Sequence, residues 1–426
     1  MSAFNSRVVR LETATALRSE MEKIGSDPRG IEIMVPKGLF LTIKIENVKY
    51  AAASIIKQEM LSKGGEAALG ECIYFGDERR TDILLMGTKR HYRRLLAKLR
   101  IQPLESLTTL ASELKEALDN YEARDRSPLT IGARDFRWGE RTFVMGIINV
   151  TPDSFSGDGV LSSGVTGGVT GDDATIDTAV AQGLRQVKEG ADILDVGGES
   201  TRPGSSPVTA EEELQRVLPV IRRLAAATDV PISIDTYKAS VAEAALDAGA
   251  HLVNDVWALG ANPGIAALVA DRGVPVILMH NRSRPKEASV RDRLGGRYLG
   301  VEYQDLMADI LRELRQAVES ALEAGIPAHN IIVDPGIGFG KTVKQNLHLL
   351  NHLDELKVMG YPILLGPSRK SFIGYTLDRP PEERLEGTAA TVALGIARGA
   401  DIVRVHDVRE MVRVAKMADA MVRDGC

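Results

Sequence analysis

The residues able to do chemistry stand where apolar runs stop. The run from Phe143 to Val150 breaks at Asn149 and leads into Thr151, Pro152 and Asp153. Later runs end at Asp195, at Asp235, at Asn254 and Asp255, at Met279 and His280, and at Asp334. Two more lead into Ser368, Arg369, Lys370 and Ser371, and through Arg404 to His406. Taken singly, each of these ends is as well explained by a helix cap or a turn. Eight polar ends in series are harder to explain that way. Four of them carry carboxylates, which would repel in a shared mouth unless donors or cations met them.

Arg404 and His406 are two apart in a strand-like run, so they share a face while Val403 and Val405 take the other. A guanidinium fork and an imidazole side by side make an anion site. If the last strand closes onto the first, Asn149 lies beside that pair. Its amide oxygen could then ligate a hard cation such as Mg²⁺, with the anion's oxygens and water completing an octahedron. Lys341 and Thr342 follow a glycine-rich run like that of a phosphate-binding loop, but Pro335 stands where that pattern needs glycine. His280 is alone and reads as structural. No zinc-ligand spacing occurs, and there is no G-x-S-x-G elbow for a serine hydrolase.

The elements that must hold these residues follow a repeat. From Thr142 onward the chain alternates strand, loop and helix eight times, with strands beginning at Phe143, Ile193, Ile232, Leu252, Val276, Ile331, Ile363 and Ile402. Helical patterns lie at Asp177 to Lys188, Ala210 to Ala225, Ala239 to Ala248, Val301 to Ala324, Val343 to Met359, Glu383 to Arg398 and Val408 to Val422. The pattern predicts an α/β chain whose residues 142–426 form a (β/α)8 TIM barrel, with chemistry at the C-terminal strand ends. A doubly wound open sheet is the alternative, but its glycine-rich first turn and following acid are absent. Residues 125–141 read as a linker and a hairpin, with Leu129 to Ile131 and Arg141 to Val144 as its strands.

Residues 1–124 read as a smaller N-terminal α/β domain of unknown role. Its candidate strands are Val8 to Leu11, Ile31 to Val35, Leu39 to Ile45, Cys72 to Phe75 and Ile83 to Met86; its candidate helices are Ala14 to Ile24, Val48 to Ser62, Arg90 to Leu99 and Leu104 to Tyr121. The basic run Lys89 to Arg100 reads as the solvated face of a helix whose Leu95, Leu96 and Leu99 turn inward. The whole chain has 426 residues and a formal net charge of −5, with both signs interspersed, which argues against a nucleic-acid groove or a membrane surface. Cys72 and Cys426, the only cysteines, are too few and too far apart in sequence to suggest a disulfide framework. With no secretory signal and no bilayer-length apolar run, the expectation is a soluble, cytoplasmic protein.

The segments NVTPDSFS, DVGGESTRPG, SIDT, NDV, DPGIGFGKT, GPSRKSFIG and RVHDV together resemble the dihydropteroate synthase family over Thr142 to Cys426. That resemblance implies a transferase joining 6-hydroxymethyl-7,8-dihydropterin diphosphate to 4-aminobenzoate, with Mg²⁺ as cofactor, a homodimer, and sulfonamides as aminobenzoate mimics. It implies Asn149 as the Mg²⁺ and diphosphate ligand, with Arg404 and His406 on the diphosphate. Asp235, Asn254 and Asp334 correspond to pterin-reading positions, Lys370 to the lysine against the pterin, and Asp195 and Met279 to the pocket walls. Phe155, Thr201, Arg202, Pro203 and Ser371 correspond to the aminobenzoate side, where the start of the helix after Lys370 would also supply N–H donors. The chain departs from the family at Gly157, where an aspartate is usual; Asp158 follows, in a long glycine-rich loop that reads as a lid. The rival readings are a methyltetrahydrofolate:corrinoid methyltransferase, which has no use for an anion site, and a non-catalytic pterin-binding protein.

Overall fold

A computed structural model describes residues 5–70, 80–123, 126–151, 173–200, 208–283, 288–291, 294–299 and 302–423. The chain divides into two compact units, one ending at Asp119 and the other running from Asn120.

The first unit holds helices α1 (Ala14–Lys23) and α2 (Pro28–Gly38), strand β1 (Phe40–Lys49), α3 (Tyr50–Ser62), β2 (Glu66–Leu69), β3 (Arg80–Thr88), α4 (Lys89–Leu99) and most of α5 (Glu105–Glu122). Its sheet is antiparallel in the order β1–β3–β2. Alternation along β3 buries Thr81, Ile83 and Leu85 on one face, where Ala53 and Ile56 of α3, Leu95 and Leu99 of α4 and Leu107 of α5 meet them. The basic run of α4 does turn its leucines inward, as expected.

Ile31 to Val35, expected as a strand, is instead the middle of α2. Pro28 opens that helix, the Asp27 carboxylate caps Gly30 N–H at 3.0 Å, and Ile31 and Val35 share its buried face one turn apart. Val8 to Leu11 forms no strand, and Cys72 to Phe75 lies outside the described residues.

The second unit begins with β4 (Leu129–Ile131), β5 (Arg134–Phe136), β6 (Phe143–Asn149), α6 (Asp173–Glu189), β7 (Ile193–Gly197), α7 (Ala210–Ala227), β8 (Ile232–Asp235), α8 (Ala239–Asp247), β9 (Leu252–Asp255), α9 (Gly264–Arg272) and β10 (Val276–Met279). A hairpin of β11 (Ala288–Arg291) and β12 (Gly295–Tyr298) comes next. Then follow α10 (Leu306–Glu323), β13 (Ile331–Asp334), α11 (Val343–Asn351), β14 (Leu364–Leu365), α12 (Ser371–Leu377), α13 (Leu385–Ala397), β15 (Ile402–Val405) and α14 (Val408–Val422). Eight parallel strands pair in the order β13–β10–β9–β8–β7–β6–β15–β14. A parallel bridge between Val333 and Ile363 joins the two ends, so the sheet closes into the expected barrel.

Side chains alternate along each strand between the ring's interior and its helical coat. Outward residues such as Val144, Val196, Ile234, Leu278, Val333 and Val403 pack in one core with the helices. Inward residues near the strand starts, Met145, Ile193, Leu252, Ile277, Ile332, Leu364 and Ile402, form a separate apolar layer. Leu129, Ile131, Phe136 and Trp138 cap that layer from the β4–β5 hairpin. The hairpin's second strand is therefore Arg134–Phe136. Arg141 to Val144, expected there, leads instead into β6, because Phe143 is needed in the aromatic cluster with Phe136 and Trp138. Two expected helices are shorter: Asp305 caps α10, and α11 stops at Asn351 before a 3-10 turn at Leu353–Met359. Helices α9 and α12 fall in segments where no helical pattern stands out from the sequence.

Candidate active site

Above the apolar layer, the next inward position of most strands is polar. Asp195, Asp235, Asn254, Asp334 and Arg404 occupy it; β10 has Met279 there, and on β6 Ile147 comes first, with Asn149 one inward position higher at the strand's end. The strands thus bring together, by alternation alone, residues that lie far apart in the chain.

Arg404 is the centre of the cluster. Its Nε donates to Asp195 Oδ2 at 2.5 Å and its Nη2 to Asp235 Oδ2 at 2.6 Å. Asn254 Nδ2 donates to the same Asp195 oxygen at 3.1 Å. Asp195 is fully buried, and its other oxygen, Oδ1, has no partner among the described residues. An unpaired buried carboxylate oxygen is costly, and here it is an acceptor waiting for donors. Arg404 Nη1 likewise makes no hydrogen bond to a described residue, which leaves part of the fork for an anion.

Burial pushes the Asp235 carboxyl up to about 7, against the pull of Arg404 and with the help of Asp195. Burial works against charge on Arg404 too, but Asp195 and Asp235 outweigh it and raise its pKa.

Asp334 and Lys370 form the other half. Asp334 accepts Gly336 N–H on Oδ1 at 2.7 Å; burial raises its pKa, and Lys370 opposes that most strongly. Burial lowers the Lys370 ammonium to about 8, with Asp334 resisting. Lys370 donates to Ile337 O and lies 4.4 Å from the centroid of the Phe339 ring. The two halves are continuous, for Asp334 and Lys370 both lie in the field of Arg404. Met279 pairs in register with Asp334.

His406 sits just past β15, and Ser368 Oγ lies 3.0 Å from its Nδ1 and accepts its backbone N–H at 3.1 Å. Ser371 opens α12 beside Lys370, although that helix spans only seven residues. Asn149 ends β6, half-buried, and its amide makes no hydrogen bond to a described residue. Phe155, Thr201, Arg202, Pro203, Gly157 and Asp158 lie outside the described residues.

Two residues noted at the end of the seventh strand, Arg369 and Ser368, take supporting roles that the sequence did not reveal. Arg369 holds a left-handed φ of 55° that non-glycine residues rarely adopt; Thr388 accepts its N–H at 3.1 Å, and Asp407 takes its guanidinium at 3.0 and 2.5 Å. Ser368 orients His406. Asp255, by contrast, points away from the mouth, accepting Trp257 and Leu259 N–H at 2.8 and 2.7 Å to hold a turn in which Ala258 and Leu259 have positive φ. Among the described residues no three of His, Cys, Asp and Glu gather as a metal site, and no helix is long and apolar enough to cross a membrane.

Comparison with known proteins matches residues 145–406 to the pterin binding enzyme family. The dihydropteroate synthase of Clostridium beijerinckii is 48% identical over 296 residues, covering 69% of this chain and 100% of that one. A crystal structure of dihydropteroate synthase from Clostridium difficile in the presence of pteroic acid superposes with a TM-score of 0.59 at 45% identity, over 69% of this chain and 99% of that one. A probable bifunctional folylpolyglutamate synthase/dihydropteroate synthase of Halobacterium salinarum is 39% identical over 404 residues, 95% of this chain and 45% of that one. That last alignment is longer than the barrel and reaches into the first unit.

Proposed function

We infer the reaction from one premise: this chain belongs to the dihydropteroate synthase family of pterin-binding enzymes. It is a transferase of folate biosynthesis that joins 6-hydroxymethyl-7,8-dihydropterin diphosphate to 4-aminobenzoate, giving 7,8-dihydropteroate and diphosphate. The C–O bond between the pterin methylene and the diphosphate breaks, its electrons leaving with the diphosphate. The amine lone pair forms the new C–N bond, and the nitrogen then loses a proton. An uncharged aromatic amine is already nucleophilic, so the barrier lies in the departing anion.

The observation that carries the assignment of roles is the unpartnered, buried Asp195 Oδ1 beside the Arg404 fork. A pterin edge offers adjacent N–H donors, which Asp195 and Asp334 would accept with Asn254 alongside. Lys370 would lie against the ring and Met279 would wall it. Arg404 and His406 would take the diphosphate, with Ser368 setting the imidazole. Ser371 would serve the aminobenzoate carboxylate, and Phe155, Thr201, Arg202 and Pro203 would complete the aminobenzoate side.

Asn149 suits Mg²⁺ as a single protein ligand, because this cation keeps its waters and binds through phosphate oxygens. The ion would supply positive charge to the leaving diphosphate. The family resemblance further supports a homodimer in the cytoplasm, and the dimer is open to light scattering on the purified protein.

The test is direct. Purified protein with the pterin diphosphate, 4-aminobenzoate and Mg²⁺ must release diphosphate and form dihydropteroate. Methyl transfer from methyltetrahydrofolate to a corrinoid acceptor, with no dihydropteroate formed, would instead select the methyltransferase reading.

A further inference from the structure

The lysine that imitates a phosphate-binding loop in the sequence is turned inward. Lys341 is 2% exposed, and its ammonium contacts His280 Nδ1 at 2.9 Å while donating to Gly336 O at 3.0 Å and Phe339 O at 3.1 Å. No carboxylate of a described residue touches it. A buried ammonium without a counter-ion in contact is expensive, and an apolar side chain of similar length would be cheaper for stability. Its place calls for another reason.

The loop that Lys341 grips is Pro335–Gly340, which connects Asp334 to Lys341 itself. From the other side Lys370 takes the carbonyl of Ile337. Glycine is required where the loop is pressed hardest: a Cβ on Gly336 would stand 1.8 Å from His280 O, and one on Gly340 would stand 2.3 Å from the Arg282 backbone. Asn346 adds a further tie, accepting Gly338 N–H at 2.6 Å.

The grip is itself anchored. Burial, and then Lys341, hold the His280 imidazole down to about 4, so it is neutral and can accept at Nδ1. Its Nε2 lies 3.0 Å from Glu313, which Arg282 Nε holds at 2.9 Å. Arg282 stacks 4.3 Å from the Tyr303 ring centroid, and the Tyr303 hydroxyl donates to Gly340 O at 3.0 Å. The circuit leaves the loop at Lys341 and returns to it at Gly340.

We propose that Lys341 is a positioning residue for pterin binding: with its ammonium anchored on His280, it fixes the Pro335–Gly340 loop so that Asp334 and the Lys370 contact at Ile337 are held ready for the heterocycle. The inference rests on the assignment of Asp334 and Lys370 to the pterin given above. It also accounts for two residues, Lys341 and His280, that the reaction itself leaves unused.

The experiment is calorimetric binding of 6-hydroxymethyl-7,8-dihydropterin diphosphate with Mg²⁺, alongside steady-state kinetics and thermal melts. The full-length variants are Lys341→Met, His280→Leu, His280→Gln and Asp334→Asn. Lys341→Met should raise the pterin Kd roughly 10- to 100-fold, the loss expected when one hydrogen bond to a charged group is misaligned. Its KM for aminobenzoate should stay near the parent value and its Tm should not fall. His280→Leu should weaken pterin binding in the same sense, and His280→Gln, whose amide can still accept from Lys341, should restore it.

A Lys341→Met protein that binds pterin as the parent does, while Asp334→Asn does not, overturns the proposal and leaves the site assignment standing. An Asp334→Asn protein with unchanged affinity overturns the site assignment itself. Should Lys341→Met fail to fold, the pair at His280 decides: equal pterin affinity in the Leu and Gln variants overturns the proposal, and rescue by Gln supports it.

Discussion

Replacing Arg404 by alanine removes one side chain and strips two carboxylates. Asp235 loses its 2.6 Å partner, and Asp195 keeps only the 3.1 Å contact from Asn254. Both carboxylates sit at the mouth, and Asp195 is fully buried. Removing one member of a buried ion pair costs about 3–5 kcal/mol, which in a domain of this size lowers Tm by roughly 6–15 °C. The same change removes the fork proposed to face the leaving group, so kcat should fall about 10²- to 10³-fold.

The pH dependence has a definite sign. Asp235 already binds its proton more tightly in the folded state, near 7, than in the unfolded chain, so its contribution to stability declines as pH rises from the unfolded value toward 7. Without Arg404 the folded pKa moves higher still, and the decline continues where the parent's has stopped. The Tm deficit of Arg404→Ala should therefore widen above about pH 7. Adding Asp235→Asn should recover much of the Tm and none of the kcat. Calorimetric melts from acid to mildly alkaline pH and a diphosphate-release assay measure both. A variant whose Tm stays within about 2 °C of the parent at every pH, with kcat within about threefold, would mean that Arg404 neither neutralises these carboxylates nor serves the departing diphosphate.

Three other outcomes follow from the same geometry. With Lys370 lowered to about 8, kcat/KM for the pterin diphosphate should fall on an alkaline limb near that pH; Lys370→Arg, which cannot lose its charge, should shift the limb upward in a pH–rate profile. A chain beginning at Asn120 should be folded and active. One beginning at Ser127 should melt at lower temperature, because it loses Arg126, which donates to Asp401 at 2.8 Å and to Tyr361 O at 2.8 Å; equal melts for the two would contradict this. A sulfonamide should inhibit competitively with aminobenzoate and not with the pterin, as initial-rate plots would reveal.

The barrel was legible because parallel strands buried on both faces read as short apolar runs, each broken by a polar residue. Arg404 and His406 were legible for the same reason, two apart with Val405 between them and Val403 before. What could not be read was partnership. Arg404 and Asp195 are 209 residues apart, and nothing local in either segment says that one carboxylate will occupy part of the fork. Pro335 ruled out a phosphate loop at Lys341, but nothing local revealed its real partners, His280 and the carbonyls that fold back around it. Ile31 to Val35 misled because five mostly apolar residues suit a strand or a buried helical turn equally, and the decision lay with Asp27 and Pro28 just before them. Helix α12, seven residues long, is too short for a helical period to stand out.

The central claim is that one mouth holds the heterocycle on Asp195 and Asp334 while Arg404, His406 and Asn149 face its diphosphate. A crystal structure with dihydropterin diphosphate and Mg²⁺ bound tests it most directly. The pterin N–H edge should lie within hydrogen-bond reach of Asp334 and of Asp195 Oδ1, and the diphosphate against Arg404 and His406 with the metal on Asn149. Diphosphate density on a different surface, or a pterin that leaves Asp195 Oδ1 unpaired, would contradict it.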